Sequence, residues 1–410
     1  MNGSHQRTEK KARFKLVVAW QALVVRGYHS FFEDVAEWID DQVVLVSPNT
    51  FQESGGQSVA LSAPSHTAPD NLQLVGTPTL TFHTQAVLYA GMGRLFRRLT
   101  QKKDAPLVVL AISEPYAITT LLLWLHAKLW ARGKVYFFCY CAQNIVKKFP
   151  WPLRFIQQFL LTRVDGVLVL GKGQSDYLTQ CQYKGKRINF PLWYDSRMFH
   201  PQGRKDKTRI EQILDGALQA SHIVDKVVLV FAGSLSPVKG IIDFLDCLEL
   251  HSEKFRSDFT VLIAGIGPEK QAVLDRLPGL TKLGLTILYL GALPQEQMPE
   301  LFRISDILCV PSKTLPHLKE QFGRVIIEAQ ACGVHVVGSD SGGIPDVLAF
   351  RDYVFKEGDT HDMADKILKL KEKISGKKET EPTLLTWNEQ FSDHNLAKSL
   401  VNQLATAIIS

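Results

Sequence analysis

The chain has 410 residues, 45% hydrophobic and 21% charged, which excludes a disordered chain or one small domain and suggests two domains of about 200 residues each. Its net charge of +6 is uneven: residues 1–195 hold 22 Lys/Arg against 13 Asp/Glu, and the remainder 25 against 28. The basic half suits an anionic partner (a membrane surface, a phosphorylated acceptor or a polyanion) or is simply a solvated basic surface.

In chain order, MNGSHQRTEKKARFK is basic with no apolar segment behind it. Residues 1–13 therefore read as a disordered N-terminus and not as a secretory signal. Short apolar runs follow at FKLVVAW (14–20), VVLVS (43–47), LQLVG (72–76), LVVLAI (107–112), VYFFCYC (135–141) and GVLVLG (166–171), mostly separated by helical patterns. After the first run, ALVVRGYHSF reads as a loop, and residues 52–71, rich in Ser, Gly, Pro and His, as a mobile one. AITTLLLWLHAKLWA (117–131) is too short to span a bilayer and reads as a buried helix. KKFPWPLRFIQQFLLTR (147–163) combines four cations with Trp151, Phe155 and Phe159. It is either a membrane-surface helix or one that buries its apolar side in the core.

The rhythm repeats in VVLVFAG (227–233), FTVLIAG (259–265), LTILYLG (285–291), ILCVPS (307–312) and HVVGS (335–339). Near-continuous apolar strands alternating with helices predict parallel sheets covered on both faces. The α/β chain thus reads as two doubly wound, Rossmann-like domains facing across a cleft at the carboxyl ends of their strands. The boundaries fall at an N-terminal domain 14–200, a second domain 201–380, and a C-terminal helix 381–410 crossing back to the first domain. The six cysteines (139, 141, 181, 247, 309 and 332) lie mostly in apolar runs without C-x-x-C spacing, as expected of buried thiols in a reducing compartment.

Four strand ends of the second domain meet glycine or a turn. FAGSLSPVKG runs through Gly233 and a small-residue turn to Lys239 at a helix start, a good place for a phosphate. LIAGIGPEK offers Gly265 and Gly267 for close backbone approach but lacks the third glycine of a dinucleotide fingerprint. Gly291 closes the next strand, where a nucleobase would lie. In EQFGRVIIE, Gly323 and Gly333 bracket a short helix of about 324 to 332 whose N-terminus favours an anion. Glu320 before that helix, and Glu328 two turns on, suit hydroxyls along one ligand. Otherwise Glu320 is a plain N-terminal acid and Glu328 a surface acid paired with a lysine. SDSGGIPDVL repeats the glycine-to-helix device.

These pieces, in this order over residues 227–350, resemble the donor-binding domain of retaining glycosyltransferase family 4, which has the GT-B fold. SEPY (113–116), QNIVKKFP (143–150) and PLWYDSRMFHP (191–201) resemble its acceptor domain more loosely. The resemblance implies a hexose-type transfer from a UDP- or GDP-sugar to a hydroxyl acceptor, lipid-linked or a glycan precursor, with retention and without a catalytic metal or other cofactor. It implies Lys239 on the diphosphate and Glu320 on the sugar, with the backbone around Phe322, Gly323, Arg324 and Val325. Glu328 would hold the ribose, and Gly233, Ser234, Gly265, Gly267 and Gly291 would line the nucleotide. The expected setting is cytoplasmic, peripheral on a membrane face.

Three positions depart from the family pattern. Gly233-Ser234 stands where Gly-Arg is usual, CYCAQNI holds no histidine near the reacting sugar, and Leu192-Trp193 replaces an Asn-Gly pair. On the acceptor side the candidates are Gly27, His29, Glu114, Gln143 and Asn144. His29 is an acceptor-side base or a loop hydrogen-bonder, and Glu114 a site acid or a helix cap. A GT-B epimerase or hydrolase, or a degenerate nucleotide-sugar-binding module, remains an alternative. Nucleic-acid binding would explain the basic half but none of the donor loops.

Overall fold

The structure, a computed structural model, describes residues 11–24, 26–52, 58–61, 68–83, 86–203, 205–206, 221–374 and 382–409. They form two compact units. Unit 1 comprises 1–170, 174–190 and 393–410, and unit 2 comprises 171–173 and 191–392.

Unit 1 is built on strands β1 (Lys15–Ala19), β2 (Val43–Pro48), β5 (Leu72–Thr77), β8 (Leu107–Ala111), β9 (Val135–Cys141), β10 (Gly166–Val169) and β11 (Arg187–Asn189). They make one parallel sheet in the order β11-β10-β9-β8-β1-β2-β5. Every residue of β1, β2, β8 and β10 is buried, because helices cover both faces of a parallel sheet. Two antiparallel pairs stand apart: β3 (Thr50–Gln52) with β4 (Ser58–Ala60), and β6 (Thr79–His83) with β7 (Ala86–Tyr89). Part of the 52–71 stretch expected as loop is therefore strand; residues 53–57 and 62–67 lie outside the described residues.

The helices of unit 1 are α1 (Arg26–Glu37), α2 (Met92–Leu99), α3 (Ile118–Trp130), α4 (Trp151–Leu161) and α5 (Lys172–Gln180). The segment ALVVRGYHSF is not a loop. It forms a 3-10 turn over Gln21–Val24 and then opens α1, because Phe31, Phe32, Val35 and Ala36 bury one helical face against the sheet. The C-terminal helix Asp393–Ile409 packs against α1. Its Gln403 amide completes the edge strand: Oε1 accepts from Asn189 N–H at 2.9 Å, and Nε2 donates to the Asn189 carbonyl at 3.0 Å. A side chain thus stands in for a further strand on an edge that would otherwise leave backbone groups unpaired.

Unit 2 holds β12 (Val227–Ala232), β13 (Phe259–Ala264), β14 (Thr286–Gly291), β15 (Ile307–Val310), β16 (His335–Ser339) and β17 (Val354–Phe355). The sheet is parallel, ordered β14-β13-β12-β15-β16-β17. Its core gathers Phe231, Phe244, Phe255, Phe259 and Phe355 with aliphatic residues of the covering helices.

The units divide after Phe190, ahead of the expected boundary at 200, for a visible reason. Arg303, only 4% exposed, donates to the carbonyls of Met198 and His200 and pairs with Glu300 at 2.5 Å. Phe199 packs on Phe302, so the stretch expected to end the first domain is bound into the second. The tail likewise divides at Ser392. Helix Pro382–Asn388 stays with unit 2 through Asn388, which donates to the Ile327 carbonyl and accepts from Gln330. All six cysteines are free thiols, and among the described residues no helix is long and apolar enough to cross a membrane.

Candidate functional site

In a doubly wound sheet, ligands meet the carboxyl ends of the strands where the strand order reverses. In unit 2 that point lies between β12 and β15, and the strand-end glycines pack there backbone on backbone. Gly233 N–H donates to the Ala264 carbonyl at 3.0 Å, and Gly265 N–H to the Gly291 carbonyl at 2.7 Å. A β-carbon on Gly265 would stand 1.8 Å from the Gly233 oxygen, and one on Gly267 2.3 Å from the Leu235 oxygen. These positions hold the loops after β12 and β13 at a distance no side chain permits. Ser234 is exposed beside them.

Lys239 ends a 3-10 turn, Pro237–Lys239. Its Nζ lies 2.5 Å from Glu320 Oε2, although the two are 81 residues apart. Ser312, fully buried just past β15, donates from Oγ to the same carboxylate oxygen at 3.3 Å, and Ser339 Oγ donates to the Ser312 carbonyl at 2.6 Å. Gly342 (φ +59°) lies so close to the backbone of Glu320 that a β-carbon would stand 1.9 Å from its carbonyl oxygen, and Gly343 N–H donates to that carbonyl at 3.1 Å. The SDSGG loop thus clamps Glu320 from behind. An ammonium has three donors, so Lys239 can hold Glu320 and an anionic oxygen together.

The helix expected over about 324 to 332 is Arg324–Ala331, starting on Gly323 (φ +90°) with no side chain capping it. Its first turn offers backbone N–H groups to an anion. Phe322 is buried edge-on against Phe391, 5.7 Å between ring centres, which fixes the chain entering the helix. Val325 is half-buried in the first turn. Glu328 is not a surface acid with a lysine partner. It is 8% exposed, and its Oε1 lies 3.1 Å from Arg324 Nε one turn back. Burial outweighs that cation and pushes the Glu328 carboxyl up to about 7. The structure therefore brings Lys239 to Glu320 and Arg324 to Glu328, and places Gly291 at the neighbouring end of β14.

Unit 1 reverses its strand order between β1 and β8. There a cavity of about 180 Å³ is lined by Ala19, Trp20, Tyr89, Glu114, Thr119 and Tyr140, among others. Glu114 does not cap α3, which starts on Ala117 without a side-chain cap. Its Oε1 accepts from Ala142 N–H at 2.9 Å, while Oε2 is buried without a hydrogen-bond partner. Burial pushes this carboxyl up to about 7, against the opposing pull of Ala142 N–H, the Cys141 thiol and Lys147. Burial also raises the Tyr89 and Tyr140 phenols. Gln143 donates from Nε2 to Tyr116 Oη at 3.3 Å, with half-buried Asn144 next in the chain; neither Gln143 nor Asn144 lines this cavity. Gly27 and His29 lie in the first turn of α1; their side chains fall outside the described residues.

Sequence reasoning missed several residues. Ser312 sits in the recognised VPS segment, but its contact with Glu320, eight residues on, depends on how the loop between them folds. Lys313 pairs with Asp243 at 3.0 Å, next to Glu269, whose Oε2 is buried without a hydrogen-bond partner. Tyr89 comes from the β6–β7 pair, whose apolar run AVLYA (86–90) is not among the runs read as strands.

Residues 218–381 match the family described as glycosyl transferases group 1. N-acetyl-alpha-D-glucosaminyl L-malate synthase of Bacillus anthracis is 36% identical over 115 residues, 28% of this chain and 28% of that protein. D-inositol 3-phosphate glycosyltransferase of Mycobacterium sp. (strain KMS) is 35% identical over 146 residues, 34% of this chain and 30% of that one. The phosphatidylinositol N-acetylglucosaminyltransferase GPI3 subunit of Saccharomyces cerevisiae is 27% identical over 202 residues, 48% and 41%. The chain spans less than half the length of these curated relatives. Among solved structures, a glycosyltransferase of Rickettsia africae superposes with TM-score 0.67 at 16% identity, covering 97% of this chain and 99% of its own. Anabaena Alr3699/HepE in complex with UDP gives 0.65 at 16% identity, covering 96% and 100%. The chain has the GT-B-type fold of these glycosyltransferases, and residues 218–381 are the part that matches the group 1 glycosyl transferase family.

Proposed function

We propose that the protein is a retaining family 4 glycosyltransferase that moves a hexose-type sugar from a nucleoside diphosphate to a hydroxyl acceptor. The observation that carries this reading is the Lys239–Glu320 pair at the switch point of unit 2, beside an uncapped helix start and a buried Glu328. Lys239 and the first N–H groups of helix Arg324–Ala331 take the diphosphate, and Glu320 takes the sugar hydroxyls. Glu328 takes the ribose, and the glycine-lined ends of β12, β13 and β14 take the rest of the nucleotide. UDP is the favoured nucleotide, because HepE was solved with UDP and with UDP-glucose and two of the relatives are named for N-acetylglucosaminyl products or transfer. No cofactor beyond the donor forms part of this proposal, and the free thiols support a cytoplasmic setting.

In the transfer, the acceptor oxygen attacks the anomeric carbon on the face from which the diphosphate leaves. The carbon–oxygen bond to phosphate breaks, the glycosidic bond forms, and the acceptor proton passes to the departing phosphate oxygen. Lys239 and the helix start stabilise the charge that builds on the diphosphate. The absence of histidine from CYCAQNI costs this route nothing, because no side-chain base is used. The acceptor is assigned to the cavity of unit 1. Its two phenols and the Glu114 carboxyl suit the hydroxyls of a small polyol or ring, and at about 30 Å³ per water the space holds roughly six waters' worth of ligand.

The test is to offer UDP-glucose, UDP-N-acetylglucosamine and GDP-mannose with a panel of hydroxyl acceptors. Free nucleotide and the product's anomeric configuration are then followed by NMR. Acceptor-dependent nucleotide release with an axial product from an axial donor is expected. Inversion would contradict the retaining reading. Tight donor binding without release for any acceptor would favour a binding module, which the exposed Ser234 in place of a cation makes the second reading.

A further inference from the structure

One face of unit 1 belongs to neither switch point. The crossovers β8-α3-β9 and β9-α4-β10 step in one direction along the sheet, so right-handed connection puts α3 and α4 on the same face. Trp124 of α3 meets Phe159 of α4 edge-on at 5.3 Å, and α2 packs beside α3, with Arg97 over the Trp130 ring at 5.7 Å.

On α4 only Gln157, Leu160 and Leu161 are buried. Trp151, Phe155 and Phe159, spaced four apart, make an aromatic stripe leading away from them. Phe159 is held by Trp124 and Arg163, while Phe155 is 63% exposed and Trp151 81% exposed. Leu129 at the end of α3 is 75% exposed, and Trp130 and Val146 are exposed as well. The segment expected as a buried helix thus surfaces at its end. Across residues 92–163 there are twelve Lys/Arg and only two acids. One acid, Glu114, is buried in the cavity, and the other, Asp104, is bound to Lys15 at 2.6 Å. Lys148 and Arg154, which flank the exposed aromatics, are exposed and have no acidic partner among the described residues.

We propose that this face docks on an anionic lipid bilayer. Trp151, Phe155 and Val146 enter the headgroup layer while Lys148, Arg154 and the cations of α2 and α3 meet lipid phosphates. Charge complementarity selects the partner: residues 92–163, all of them described, offer no free acid to pair with a basic one. Aliphatic Leu129 and Val146, exposed beside the aromatics, suit acyl chains. The inference does not rest on the sugar-transfer reading, since it needs no donor.

The experiment is vesicle co-sedimentation of the full chain with phosphatidylcholine alone and with phosphatidylcholine containing a quarter phosphatidylglycerol. Wild type should pellet with the anionic vesicles only, and less as salt rises. The doubles W151A/F155A and K148E/R154E should each bind them about tenfold or more weakly. Lipid brominated near the headgroup should quench tryptophan fluorescence in wild type and less in W151A. UDP binding and thermal unfolding, unchanged in these surface variants, serve as the check on folding. Equal pelleting with both vesicles, or variants that bind like wild type, would overturn the proposal. So would wild type that ignores lipid but is retained by single-stranded RNA or an acidic protein.

Discussion

The two units use the same topology and opposite electrostatics. Each places its polar groups where the strand order reverses, at β12/β15 in unit 2 and β1/β8 in unit 1. In unit 2 the charges come in pairs, Lys239 with Glu320 and Arg324 with Glu328, around glycine-built strand ends. In unit 1 an acid pushed up to about 7 and two phenols surround a small cavity with unmet hydrogen-bonding capacity. The difference fits the two ligands proposed. An anionic donor calls for fixed cations and N–H groups already organised, whereas a neutral hydroxylated acceptor calls for hydrogen-bonding groups without net charge.

The comparison breaks most readily at Glu320. Glu320→Gln should lower turnover by roughly 10²- to 10³-fold while leaving UDP affinity within a few fold, since the lost contacts are to the sugar. Steady-state kinetics beside titration of UDP would read both, and unchanged turnover would remove Glu320 from the site. Next comes the clamp behind it. Gly342→Ala forces a β-carbon to 1.9 Å from a backbone oxygen at φ +59°, so it should destabilise unit 2 by about 2–4 kcal/mol and loosen the sugar subsite, seen as a lower melting temperature and a raised KM for the donor.

A third prediction separates the units by pH. Glu114 binds its proton more tightly folded than unfolded, so between pH 4.5 and 7 the native state holds more protons and stability falls as pH rises. The loss amounts to about 3 kcal/mol at most from this group. Glu328 acts in the same direction in unit 2. Glu114→Gln should flatten the pH dependence of unit 1 unfolding and leave that of unit 2 in place; an unaltered profile would count against a strained, buried acid. The smallest effect is on donor affinity. Ribose hydroxyls donating to Glu328 favour its charged form, so UDP should bind up to about tenfold more tightly at pH 8 than at pH 6, releasing a proton measurable by calorimetry in buffers of different ionisation enthalpy.

Much of unit 2 could be read from its residues because its signals are local. Apolar runs such as VVLVFAG and FTVLIAG sit at the observed strands, and the glycines that end them are adjacent in the chain. The pairing of Lys239 with Glu320 spans 81 residues, so no spacing rule could show it. The burial of Glu328 depends on how the helix packs, whereas its Arg324 partner is a local pair four residues back on the same helix. In unit 1 the cavity draws Tyr89, Glu114, Thr119 and Tyr140 from separate segments, and Glu114 resembled a cap because a carboxylate before a helix usually is one. The domain boundary was misplaced by about ten residues because a buried arginine, Arg303, reaches back to Met198 and His200. Composition does not reveal such a tether.

The most direct measurement is calorimetric titration of UDP into wild type, Lys239→Ala and Glu114→Gln. Losing the charge-assisted contact of Lys239 should weaken UDP about 10- to 100-fold, and Glu114→Gln should leave the affinity unchanged. UDP binding to Lys239→Ala as tightly as to wild type, or an equal loss in Glu114→Gln, would contradict the assignment of the donor to unit 2.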